Sequence, residues 1–370
     1  MGPEDWGGRF ARCSCCLLGT IAALVACHNS GSSNQSVRDA SDDAAQSTGG
    51  AAADSGSSGG SGNAATNGSG TGASGGLTTG GIIAFMHPDG YAAWVTAEAS
   101  GKLTNVSTAL NGVSSGEDKS VAVSRDGTAL ALTTTRFGCG DWDCLVLVDR
   151  ALKNGERVQA GGEDVHPDRA LAVGPGGAWI VFSADGGSHS RDLYVTRKTG
   201  GSWSSKQLLT ASSSYAYNTQ PAPSPDGKRV VFDCGNEPYG GAGNAICSVG
   251  IDASGFKVEA APGRGFADQA IALHHPAMAA GGVLVFEMDR PDTGERIWSL
   301  RGGQAARLGD FTNDNSPCVL PSGAVASLVL SRAGNSSGAH EIKLMSLSGT
   351  ESVMVLTDVD VVDVQLSCGG

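Results

Sequence analysis

Residues 218–234 read Asn-Thr-Gln-Pro-Ala-Pro-Ser-Pro-Asp-Gly-Lys-Arg-Val-Val-Phe-Asp-Cys, and no other stretch constrains the fold as tightly. It reads as a strand, a tight turn at Ser224-Pro225-Asp226-Gly227, and a second strand from Lys228 to Cys234. Pro225 presets φ, Asp226 bonds its own backbone, and Gly227 supplies a positive φ without steric cost. The unit recurs. Gly127, Gly177, Gly227, Gly282 and Gly323 each precede a short apolar run, at spacings of 50, 50, 55 and 41 residues. A third strand follows each, at Cys144–Val148, Asp192–Thr196, Ala245–Val249, Arg296–Leu300 and Glu341–Met345, and then a more polar fourth. No segment keeps a helical apolar period over three turns. Repeats of this length with four strands each predict an all-β propeller.

The two ends of the repeat region predict how the ring closes. Residues 80–86, Gly-Gly-Ile-Ile-Ala-Phe-Met, align with 281–287, Gly-Gly-Val-Leu-Val-Phe-Glu, so the domain begins at the second strand of a blade. The chain ends Val361-Val-Asp-Val-Gln-Leu-Ser-Cys-Gly-Gly370, which supplies the missing first strand. Five whole blades and one split blade make a six-bladed propeller over 80–370, closed by the C-terminal strand, which removes the sheet edge the split blade would otherwise expose, and expected to be monomeric.

The N-terminus reads as an address. Arg9 and Arg12 precede an apolar run from Cys13 to Ala26, too short to span a bilayer and suited to a signal-peptide core over 1–26. Leu24-Val25-Ala26-Cys27 resembles the lipobox of bacterial lipoproteins. That resemblance implies a lipid anchor on Cys27 in the cell envelope, and His28 at the next position favours the outer membrane. Residues 27–79 are Ser, Gly, Ala, Asn, Thr and Asp with little else, so they cannot offset their ordering entropy by burial. They are expected to form a disordered tether with a root-mean-square span of roughly 40 Å. Gly70–Gly75 fits a dinucleotide-binding spacing and Gly72–Gly76 a nucleophile-elbow spacing, but neither has the strand and helix that such chemistry needs.

Pro223-Ser-Pro-Asp-Gly227 and the weaker Ser124-Arg-Asp-Gly127 resemble the WD40-like repeats of the TolB-type six-bladed propellers, over roughly residues 80–370. The resemblance implies binding and scaffolding in the bacterial envelope. The same fold also serves as the propeller of certain peptidases and, modified, as a pectic-oligosaccharide lyase.

Six cysteines lie in the repeats. Cys139–Cys144 and Cys234–Cys247 occupy equivalent hairpins two blades apart and read as disulfides. Cys318 and Cys368 lie on neighbouring inner strands, five and two residues before their turn glycines. That offset, about 10 Å, exceeds the roughly 7 Å between α-carbons that a bridge allows. Unless the strands are staggered, the pair reads as buried thiols.

The same counting finds a channel mouth. Seven residues before each turn glycine stand Ser120, Ala170, Gln220, His275, Ser316 and Asp363. Gln220, His275 and Asp363 are candidate ligand contacts. Trp142 inside one disulfide loop, and Tyr215 and Tyr217 before the best repeat, are candidate aromatic contacts. His87, His166, His274 and His275 sit at unmatched offsets, so no metal or other cofactor is expected. A net charge of −12 argues against nucleic acid as partner. The sequence therefore points to a non-catalytic, membrane-anchored lipoprotein that binds an envelope protein or a glycan. A metal-dependent polysaccharide lyase or hydrolase, and a purely structural lipoprotein, are the alternatives.

Overall fold

The structure, a computed structural model, describes residue 77 and residues 80–370 apart from 141, 169, 239–240, 310–313, 331–339 and 360–364. Cys27 and the segments 1–26 and 27–79 proposed from sequence, Leu77 aside, lie outside the described residues, as does Asp363.

Six antiparallel sheets follow one another around a ring. Blade 1 orders Ser367–Gly369, Ile82–His87, Tyr91–Thr96 and Leu103–Asn105. Blade 2 runs Asp118–Val123, Ala129–Thr134, Cys144–Asp149 and Gly155–Arg157. Blade 3 runs Leu171–Val173, Trp179–Ala184 and Asp192–Thr199, with its outer edge in two pieces, Ser202–Trp203 and Gln207–Leu208. Blade 4 runs Tyr217–Pro223, Arg229–Gly235, Ala245–Gly250 and Lys257–Ala260. Blade 5 runs Ala272–Ala279, Val283–Arg290, Gly294–Arg301 and Gln304–Arg307. Blade 6 runs Asp314–Val319, Val325–Leu330, His340–Met345 and Ser352–Val359. A short helix, Val106–Asn111, links blades 1 and 2, capped by the Asn105 side chain accepting from Thr108 N.

The repeat turn is built as its residues dictate. Ser224 Oγ donates to Asp226 Oδ1 and accepts from Arg229 N, while Asp226 Oδ1 also accepts from Lys228 N. In blade 2, Asp126 adds a tie between blades, since its Oδ2 accepts from Gly176 N of blade 3 at 2.8 Å. Gly127 holds φ +68°, and a Cβ there would lie 2.6 Å from Gly370 Cα, so this position excludes any side chain.

The core is six separate clusters, one at each seam. Side chains alternate along a strand, so Ile83 and Phe85 face blade 6 while Ile82 and Ala84 face blade 2. Each fully buried Ile, Leu, Val or Phe stabilises its seam by about 1.5–3 kcal/mol relative to exposure.

The ring closes as the split blade requires. Ile82, Ile83 and Ala84 pair with Gly369, Cys368 and Ser367. Gly370 N then donates to Arg125 O, and Ser367 Oγ accepts from Val123 N.

Among the described residues there are three disulfides, Cys139–Cys144, Cys234–Cys247 and Cys318–Cys368. The third corrects the reading of buried thiols, its α-carbons being 5.5 Å apart. Gly370 is not the equivalent of a turn glycine. Gly369 pairs with Ile82 as Leu320, which donates to Ala324 O, pairs before the turn of blade 6, and Gly323 lies three residues beyond Leu320. Counted from the strand ends, Cys318 and Cys368 differ by one residue, about 3.3 Å, instead of three. A bridge spans that easily.

Candidate functional site

Antiparallel alternation gives the ring two unlike faces. One carries the repeat turns. The other, the mouth face, receives the starts of the inner strands, the connections from second to third strands, and the arrivals from the preceding blade. Both hairpin disulfides, Trp142, Tyr215 and Tyr217 therefore lie toward one face with Gln220 and His275. A cavity of about 760 Å³ runs between the inner strands and is lined by Ser120, Thr219, Gln220 and His275 among others, with Pro88, Pro221, Pro223, Pro276 and Pro317.

Gln220, Ser316 and His275 are each followed by proline, which cannot donate to a strand ladder. In each of these three neighbouring blades the pairing slips there, between Thr219 and Ala222, His274 and Ala277, and Asn315 and Cys318. The bulged residues hold positive φ at 53°, 49° and 50° for Gln220, His275 and Ser316. Non-glycine residues in this region carry strain, and such strain gathers at functional sites.

A buried acid–imidazole cluster stands behind the arc. Alternation along the second strand of blade 5 turns Phe286 toward blade 4 and Glu287 toward blade 6. Glu287 Oε2 lies 3.0 Å from His275 Nδ1 and accepts from Ser316 N at 3.1 Å. Asp233, equivalent to Glu287 in blade 4, sits on the blade 5 side with Val231. Its Oδ2 is 3.7 Å from His274 Nδ1, an ion-pair contact too long for a hydrogen bond. Both Asp233 oxygens, His274 Nδ1, Gln220 Oε1 and Asn315 Oδ1 are buried without a hydrogen-bond partner.

These contacts set the charge states. Burial pushes the His275 imidazole down, but the hydrogen bond and charge of Glu287, with Asp233 and Glu295, outweigh it and raise it to about 9. Burial opposes ionisation of Glu287, yet the bond from His275 and the two imidazoles hold its carboxyl below the usual range. Burial pushes Asp233 up despite His274. Glu295 is pushed up by burial and by the neighbouring charges of Glu287 and Asp289.

The sequence-derived candidates divide. Gln220 and His275 line one cavity, Asp363 lies outside the described residues, and Ser316 completes the arc. Tyr215 packs partly into the seam of blades 3 and 4, and Tyr217 pairs with Gly235 in its sheet. Trp142 is 77% exposed on its disulfide-closed loop. Asp233 and Glu287 were not singled out from sequence. The available signal was an acidic residue directly after the Phe of two successive apolar second strands, Val-Val-Phe-Asp and Val-Leu-Val-Phe-Glu. Among the described residues, no three His, Cys, Asp or Glu side chains gather closely enough to hold a metal ion. No described helix is long and apolar enough to cross a membrane.

No protein-family model matches the chain, and no curated protein does. Solved structures do. TolB from Acinetobacter baumannii is similar at 16% identity and TM-score 0.56, over 78% of this chain and 66% of that one, so this chain spans just under two thirds of its length. A protein described as a TolB from Agrobacterium tumefaciens is similar at 17% identity and TM-score 0.51, over 79% and 99%. A chain of the nidogen/laminin complex is similar at 9% identity and TM-score 0.53, over 78% and 98%. At such identities the likeness carries the fold alone. By fold, this chain is a six-bladed β-propeller, similar in structure to the TolB propellers.

Proposed function

We propose that this chain is a non-catalytic lipoprotein of the bacterial cell envelope, held by an acyl anchor on Cys27 at the outer membrane, whose propeller binds an envelope protein through its mouth face. The reading rests on one observation. Three neighbouring blades set Gln220, His275 and Ser316 at strained positions on one arc of the mouth, before buried polar atoms that lack partners. A structure that only had to close a ring has no need of either. Protein is favoured over glycan because no Phe, Tyr or Trp is among the described residues lining the cavity, so a sugar ring finds no broad aromatic face to stack on there. A peptide segment finds prolines, hydroxyls and an amide instead. Two TolB structures and a chain of a nidogen/laminin complex sharing this fold are consistent with a binding role. Trp142 stands on the same face as a peripheral contact.

The test is capture from gently solubilised envelopes with the anchored chain as bait and the Cys27→Ser chain as control, read by mass spectrometry. One dominant protein, lost when Gln220 and Trp142 are both changed to Ala, is the expected result. Retention on polysaccharide with no protein enriched refutes the protein reading and moves the ligand to glycan.

A further inference from the structure

We infer that the arc of the mouth formed by blades 4, 5 and 6 receives a guanidinium, an arginine side chain presented by the partner protein. This rests on the reading that the propeller binds protein through its mouth face, and names the chemistry it recognises there.

The arc and the cluster behind it hold acceptors without donors, and of these Gln220 lines the cavity. Gln220 Oε1, Asn315 Oδ1 and both oxygens of Asp233 are buried and unpartnered. A buried acceptor left unpaired forfeits its hydration and gains nothing in return. His274 Nδ1, 92% buried with its residue, points at Asp233 Oδ2 from 3.7 Å and bonds nothing. The shortage is one of donors and of positive charge. Three carboxylates, Asp233, Glu287 and Glu295, act on the two imidazoles here. Glu287 is satisfied by His275 and Ser316 N, whereas Asp233 is not.

The other cations lining the cavity are engaged elsewhere. Arg125 donates to the carbonyls of Val319 and Leu320 on blade 6, and Lys119 lies 3.7 Å from Glu117. Asp168, the acidic residue of the lining, is met by Arg191 from outside it. The missing donors must therefore come from outside the propeller. A guanidinium brings five donors in one plane, keeps its charge at any working pH, and is weakly hydrated, so it enters a desolvated pocket at lower cost than an ammonium. A neutral sugar brings donors without charge. Burial pushes the Asp233 carboxyl up, and a guanidinium in the arc favours its ionised form, so at low effective dielectric Asp233 contributes without having to touch the ligand. The net charge of −12 favours the approach of a cationic segment.

The test is an NMR titration of the His274 and His275 imidazoles in the full chain carrying Cys27→Ser. The probes are acetyl-Ala-Arg-Ala-amide, its Lys, Ala and Glu counterparts, and a neutral oligosaccharide of N-acetylglucosamine. The arginine peptide is expected to shift both imidazoles saturably, about tenfold more tightly than the alanine peptide, a gap of about 1.4 kcal/mol. Asp233→Asn is expected to remove that gap, and Gln220→Ala, which alters no buried charge, keeps the test open if Asp233→Asn fails to fold. Equal binding of the arginine and alanine peptides overturns the inference. So does a preference for arginine that survives both variants, or tighter binding of the saccharide. Capture of an envelope protein that persists in Asp233→Asn removes this inference and leaves the protein-binding reading standing. Loss of all capture with the arginine preference intact removes that reading alone.

Discussion

The Cys318–Cys368 bridge latches the C-terminal strand of blade 1 to blade 6, across the seam where the ring is closed by separate ends of the chain. Changing both cysteines to Ala removes the latch without adding a buried polar group. In the chain-entropy treatment, the stabilisation grows with the length of chain enclosed. The three bridges enclose 5, 13 and 50 residues of sequence separation for Cys139–Cys144, Cys234–Cys247 and Cys318–Cys368. The corresponding stabilisations are about 2, 3 and 4 kcal/mol. The ring-closing pair therefore exceeds the shortest hairpin pair by about 2 kcal/mol, a ratio of about thirty in the folding equilibrium. Equilibrium unfolding in guanidinium chloride compares the Cys318→Ala/Cys368→Ala and Cys139→Ala/Cys144→Ala proteins with the parent, read as a change in midpoint at unchanged slope. A hairpin variant that loses as much as, or more than, the ring-closing variant refutes the argument that the long closure carries the larger share.

Further consequences are open to measurement. Deleting residues 365–370 strips the partner strand from Ile82–His87 and leaves an apolar edge; the truncated protein is expected to self-associate in size-exclusion chromatography. Gly127→Ala places a Cβ against Gly370 at positive φ, and is expected to lower stability by about 1–3 kcal/mol in urea unfolding. The folded-state pKa of His275 is raised from 6.5 to about 9, so its pairing with Glu287 contributes fully below pH 6.5 and is lost as pH rises through 9. Urea midpoints should fall across that window in the parent and flatten in Glu287→Gln, with the imidazole titrating nearer its ordinary range by NMR. Trp142→Ala removes a ring that is 77% exposed, so thermal unfolding should move by no more than about 0.5 kcal/mol. Capture of the partner by the same variant should weaken by about tenfold or more.

What could be read from the sequence is what each blade must do alike. A turn that needs positive φ writes a glycine, and five such glycines at near-even spacing gave strand order, blade count and the split blade, all present in the structure. Counting from those glycines also placed Gln220, His275 and Ser316 together, because the inner strands begin at equivalent heights. It failed at Cys368, where the final Gly370 ends a strand and makes no turn. It could not show that Asp233 and Glu287 stand behind the arc, since that depends on which seam a second-strand residue faces after the bulge. Yet the bulges themselves were written, as Gln-Pro, His-Pro and Ser-Pro at one offset in three successive blades, where blades 2 and 3 have Ser120-Val121 and Ala170-Leu171. A prolyl nitrogen cannot serve the ladder, so the three prolines mark where the repeat departs from its own rule. A ring needs its blades to agree only at the seams and turns. The residues that differ in concert between one half of the mouth and the other are left free by folding, and it is there that the buried polar atoms lack partners. The site is therefore carried by the departures from the repeat, and the fold by its regularity.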